Sequence, residues 1–226
     1  MMTIKTYLEF WGEDLTNIRI SKEIEKVLPP VAIMFLDQYG LPTSERMFRE
    51  RKTYLESTTP IPEIFLSEKN IEKNIKSVRP YFEFISFVDE PFEFQGLKFV
   101  RIGNEGEHDI AIEVNSGSVN YIIRSLPVSC PTEFAPLVQN LLINSGMDKL
   151  GMSLTAEFLA RRERIKARKK YVEAINSDNA KLRDESEGEI NQIIDNLENE
   201  FRALDNEALI VPESYWRDYL INIRDQ

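Results

Sequence analysis

The sequence predicts an α+β fold in which an antiparallel meander is flanked by helices, with a charged helical extension toward the C-terminus. Three observations predict it. Short apolar segments between Lys98 and Ile123 alternate with period two, as strands do. Segments at both ends of the chain repeat apolar residues at helical spacing. A stripe from Ile190 to Leu204 recurs at alternating intervals of four and three, the seam of a packed helix.

In chain order, Ile4, Tyr7, Leu8 and Trp11 fall on one helical face, and Gly12 ends that helix. A helical turn starts at Ser21, and a second helix opens at Pro30, whose fixed φ suits the first helical position. Gly40 stops it and Pro42 blocks its resumption. Between Arg46 and Phe94 the pattern alternates poorly among several prolines, and strand fragments are expected at about Met47 to Leu55 and Tyr81 to Val88.

The meander follows as "KFVRI", "DIAIEV" and "SVNYII". In its second strand Ile110, Ile112 and Val114 share one side and Asp109, Ala111 and Glu113 the other, which predicts a sheet with one buried face. Gly117 supplies the positive φ of the next turn. "PTEFAPLVQNLLINSG" is expected to be a helix presenting Phe134, Leu137, Val138, Leu141 and Leu142, closed by Gly146. Two longer helices are expected at about Ser153 to Ile175 and Glu189 to Leu204, the second preceded by a capping box from Ser186 to Glu189. The first contains "RRERIKARKK". Asp195, Glu198 and Glu200 flank the apolar stripe of the second, so an antiparallel hairpin would set opposite charges side by side. A last helix, "PESYWRDYLINI", offers Trp216, Tyr219, Leu220 and Ile223 to the body of the protein.

Composition narrows the function. Twenty-eight basic residues face 38 acidic ones, a net charge of −10, which repels phosphate backbones and favours basic partners. The single cysteine, Cys130, rules out an intrachain disulfide and a cysteine-rich zinc site. No secretory leader is legible at the N-terminus, and no apolar run approaches the roughly 18 residues of a membrane span. A cytoplasmic protein is expected, with neither nucleic acid nor membrane as partner.

The segment "IGNEGEHDIAIEVNSGSVNYI" holds the sole histidine, His108, among Glu105, Glu107 and Asp109. One imidazole and one distant thiol cannot furnish the usual zinc sets. The carboxylates lack the spacing and terminal glutamate of an EF-hand loop. A solvated hairpin turn is the favoured reading. A Cys130–His108 nucleophile pair would need a proximity that the sequence does not show, and "GNEG" lacks the Gly-Lys-Ser/Thr ending of a phosphate loop. The basic run at 161–170 is read as a solvated helix face paired with the acidic helix, and the stripe at 190–204 as intramolecular packing rather than a dimer seam.

The order of elements, with "FLDQYGLP", "LKFVRIG", "DIAIEVNSGSVNYI", a helix opening near "TEFAPLV" and the terminal aromatic pair Tyr215 and Trp216, resembles the SUKH superfamily of immunity proteins, most closely its fourth subgroup. The resemblance covers residues 1 to about 145 and the last fifteen. It implies a single α+β domain with a curved, mainly antiparallel sheet; residues 150–205, read from their charge and periodicity as a helical hairpin insertion or extension, make the C-terminal region longer than the family leads one to expect. It further implies a non-enzymatic protein without cofactor, metal or catalytic residue, which binds and neutralises a cognate bacterial toxin. Gly40, Leu41, Pro42, Gly103 and Gly117 match pattern positions as backbone and packing determinants, with Gly103 ending its strand. The expected partner is a basic toxin domain, a nuclease being one candidate, met by the exposed acids Glu105, Glu107, Asp109 and Glu113; the protein itself is expected to be a monomer or weak homodimer. Two alternatives stay open. One is an adaptor that binds a partner or dimerises through the C-terminal hairpin, and the other is a carboxylate hydrolase, which would need a concave site with raised carboxyl pKa values.

Overall fold

The computed structural model describes residues 1–49, 82–88, 90–123, 140–212 and 214–224. The Thr3 hydroxyl accepts from the Thr6 amide at 3.2 Å and starts α1 (Ile4–Trp11), which buries Tyr7 and Trp11 and stops at Gly12. After it come β1 (Leu15–Thr16) and β2 (Arg19–Ile20), then α2 (Lys22–Glu25), capped by Ser21. Pro30 opens α3 (Pro30–Gln38), as its fixed φ predicts. Beyond that helix Gly40 takes φ 72°, and its carbonyl accepts the Tyr7 hydroxyl at 2.6 Å. The next two residues form β3 (Leu41–Pro42), antiparallel to β1.

Residues 44–49 are helical, so the strand expected to begin at Met47 begins as helix instead. Met47 buries its side chain there, which one face of a helical turn allows. The rest of that expected strand lies outside the described residues. The second expected region holds β4 (Glu83–Phe84) and β5 (Phe87–Val88), and β5 runs parallel to β2.

Six of the described strands form the main sheet, and all its pairings are antiparallel. Its centre is the predicted meander: β7 (Leu97–Glu105), β8 (His108–Glu113) and β9 (Val119–Ile122). On the outer edge of β7 lie β6 (Pro91–Phe94), beside its first half, and β4, beside its second. Gly103 does not end its strand, contrary to expectation. It sits inside β7, where a β-carbon would lie 2.5 Å from the Glu83 carbonyl oxygen, so the close pairing of β4 with β7 requires glycine.

Beyond β9 the sheet is completed by β10 (Asn140–Asn144). These residues were expected to close a helix; Leu141 and Leu142 instead lie opposite Tyr121 and Asn120 in a ladder. Residues 131–139 and Cys130 lie outside the described residues. The expectation of one buried face also fails. Ile110, Ile112, Val100 and Tyr121 join the main core, whereas Phe99, Ala111 and Ile122 on the opposite face are buried in a second cluster with Phe92 and Phe94.

Two long helices follow. The first, α4 (Met147–Asn176), starts before the expected boundary, and α5 (Ala180–Leu204) begins nine residues before its own, capped by Asn179. Ser186 is no cap, because its hydroxyl donates to the Leu182 carbonyl within the helix at 2.8 Å. The pair forms the predicted hairpin, bridged by Lys170 and Glu189 at 2.8 Å. Most of the acidic flank points elsewhere: Asp195 and Glu198 each meet Arg224 at 2.8 Å. Arg224 belongs to α7 (Tyr215–Arg224), reached through the short α6 (Glu207–Ile210).

The first half of α4 lies in the same core as α1, α3 and the sheet, through Leu150, Leu154 and Phe158. Close approach is possible because Gly151 faces Phe35 and Tyr7; a β-carbon there would stand 2.7 Å from the Phe35 ring. Trp11 donates its indole N–H to Thr155 Oγ1 at 3.0 Å. Asn144 performs the same service for the C-terminal elements. Its amide oxygen accepts the Trp216 indole at 3.0 Å, and its Nδ2 donates to Ser153 and Asp205. Among the described residues no helix is long and apolar enough to cross a membrane.

Candidate functional site

The acidic segment singled out by the sequence is the β7–β8 hairpin. Glu105 and His108 face each other as the last ladder pair, leaving Gly106 and Glu107 as a two-residue loop. Gly106 has φ 59° and Glu107 no positive φ, the backbone sign pattern of a type II′ hairpin turn. Glu107 is exposed at the hairpin tip, whereas Glu105, at the end of β7, is half-buried with its Oε2 out of solvent. Beside them, β4 brings the exposed Glu83 opposite Asn104.

The other two acids are not exposed. Asp109 is 5% accessible and faces Arg101 at 3.6 Å, with that guanidinium half in solvent. Glu113 is 7% accessible and accepts the backbone N–H groups of Asn115 at 3.0 Å and Ser116 at 2.7 Å. Burial pushes the Glu113 carboxyl up, but the bonds from Ser116 and Asn115 outweigh it and hold the group below the usual carboxylate range. Its role is to tie the 114–116 turn, and Gly117, which follows, has the expected positive φ. The presumed contact edge of four acids therefore reduces to Glu105 and Glu107, joined by Glu83. His108 lies against Tyr121, ring centroids 5.4 Å apart. No group of histidine, cysteine, aspartate or glutamate able to hold a metal is assembled among the described residues.

A second constellation went unseen in the sequence. Glu157, fully buried in α4, pairs with Arg161 at 2.5 Å and accepts the Tyr219 hydroxyl at 2.7 Å. Arg161 also lies over Phe158, 5.0 Å from the ring centroid. Burial pushes the Glu157 carboxyl above its usual range, against the opposing pull of Arg161, Tyr219 and Arg164. Burial likewise raises the Tyr219 hydroxyl. Two arginines of the run taken as a solvated face, Arg161 and Arg164, are thus buried. The signal was present as Glu157, Arg161 and Arg164 at helical spacing, but spacing alone cannot separate a wet face from a buried one. Glu157, the carboxyl raised by burial, is inaccessible and engaged by Arg161 and Tyr219.

No known protein family model matches the chain, and no curated protein or solved structure matches it.

Proposed function

We propose that the protein is a non-enzymatic immunity protein of the SUKH type, which binds a basic bacterial toxin domain in the cytoplasm and masks its active site without a cofactor. The observation supporting this reading is the acidic hairpin tip. Glu107 projects from a two-residue turn and Glu105 stands beside it at the end of β7, on strands that carry core residues on both faces, so the charges sit on a scaffold that loses little conformational freedom on binding. A chain of net charge −10 adds a long-range field that speeds encounter with a positive surface.

The adaptor alternative has less support. Ile194, Leu197, Phe201 and Leu204, the residues a helical partner would grip, are buried inside this chain.

Co-expression with the toxin domain encoded by an adjacent open reading frame is expected to rescue growth and yield a stable complex. The Glu105→Lys/Glu107→Lys double variant is expected to slow association about tenfold at low ionic strength, with the difference shrinking as salt rises. Absence of a complex would sink the immunity reading. An unchanged association rate in a complex that still forms would move the contact away from the hairpin tip.

A further inference from the structure

Arg164 feels the charge of Glu157 but has no bonded counter-ion among the described residues. It is 2% accessible, its Nε is buried, and it donates no hydrogen bond and forms no ion pair among the described residues. The buried carboxylate whose charge it feels, Glu157, is already bonded to Arg161 and Tyr219, so two buried guanidiniums share one acid. A buried cation without a bonded counter-ion is costly, and the cost falls when an anion supplies the second charge.

Arg164 lines a cleft of about 340 Å³ between α4, α5 and α7. One helical turn further on, Arg168 lines the same cleft and likewise has no bonded acceptor among the described residues. Apolar walls come from Val172, Ile190, Ile194 and Ile223, with Tyr171 beside them. Arg224 stands at the rim but is already committed to Asp195 and Glu198. Glu187 is the lining carboxylate, exposed and outside ion-pair distance of either free arginine. A cleft with paired guanidiniums and apolar walls suits an anion that also has an apolar body.

We propose that this cleft binds a small amphiphilic organic anion, its carboxylate or phosphate held by Arg164 and Arg168 and its apolar part by Ile190, Ile194 and Ile223. The proposal is independent of toxin binding and uses a different surface.

Calorimetric titration of the full chain at low ionic strength tests it, using 1-naphthyl phosphate and octanoate as probes with inorganic phosphate and acetate as head groups alone. Saturable binding of at least one amphiphile is expected, with the preferred probe identifying a phosphate or a carboxylate ligand. Arg168→Met, a change at a half-buried site, is expected to weaken it about tenfold or more. Arg164→Met is expected to abolish it, whereas Lys170→Met, which removes an exposed cation already paired with Glu189, should leave it unchanged. The proposal is overturned if neither amphiphile saturates, if Arg168→Met binds like the parent protein, or if Lys170→Met loses as much affinity. Equal affinity for inorganic phosphate and naphthyl phosphate would overturn the role of the apolar wall.

Discussion

Buried polar residues hold the most information at the scale of single side chains. Glu113 accepts two backbone donors while almost out of water, and an amide in its place would turn a donor toward one of them. Glu113→Gln is expected to cost about 2 kcal/mol at neutral pH. The folded carboxyl lies below the usual value, so its contribution is present above the unfolded pKa and fades as pH falls through the folded one. Chemical denaturation of both proteins at pH 7 and again in acid should show the difference shrinking; a constant difference would rule out the carboxylate as its source. Asn144 makes a parallel case. Asn144→Ala would strand the Trp216 indole donor and two further partners, and a loss of about 3 kcal/mol is expected from tryptophan-monitored unfolding. Sequence spacing put Asp109 and Glu113 correctly on one side of a strand. It could not say that this side is buried, since period two is the same whether the second face meets water or protein.

Among elements, those with a local cause were the ones legible beforehand. The end of α1 and the start of α3 follow from Gly12 and Pro30, which act within a turn of their own position. The β10 strand had no such marker. Leu137, Val138, Leu141 and Leu142 fit a helical face, and only pairing with β9, a non-local event, makes 140–144 a strand. The early start of α4 is not legible in the sequence for a related reason: Gly151 has weak helix propensity, but its lack of a side chain lets the helix seat against Phe35 and Tyr7. Gly151→Ala should therefore reverse the usual propensity order and destabilise by about 1–3 kcal/mol, because the added methyl must displace a buried ring. A melting temperature equal to or above the parent's would show that α4 can slide to relieve the clash.

For the molecule as a whole, a helical region toward the C-terminus could be anticipated from charge and periodicity, but its place in the fold could not. Leu150, Leu154 and Phe158 complete the core begun by Tyr7 and Trp11, so the hairpin is not expected to be removable. A chain with residues 147–204 replaced by a short linker should show no cooperative thermal transition and should bind hydrophobic dye. A sharp transition in that deletion would mean that the sheet and N-terminal helices sustain a core alone. Of the two candidate binding surfaces, the hairpin tip was legible in part, because the turn at Glu105 to His108 is local, whereas its neighbour Glu83 and the Arg164 cleft depend on segments that only the fold brings together.

The hydrogen bond from Trp11 to Thr155 spans 144 positions of chain. During synthesis, the partner that shelters Trp11 emerges from the ribosome only after a further 144 residues have been made. Until then α1 and α3 have nothing to close over them from α4. The nascent chain must pass through a long interval with its largest apolar side chains unprotected, a period in which chaperone capture competes with collapse.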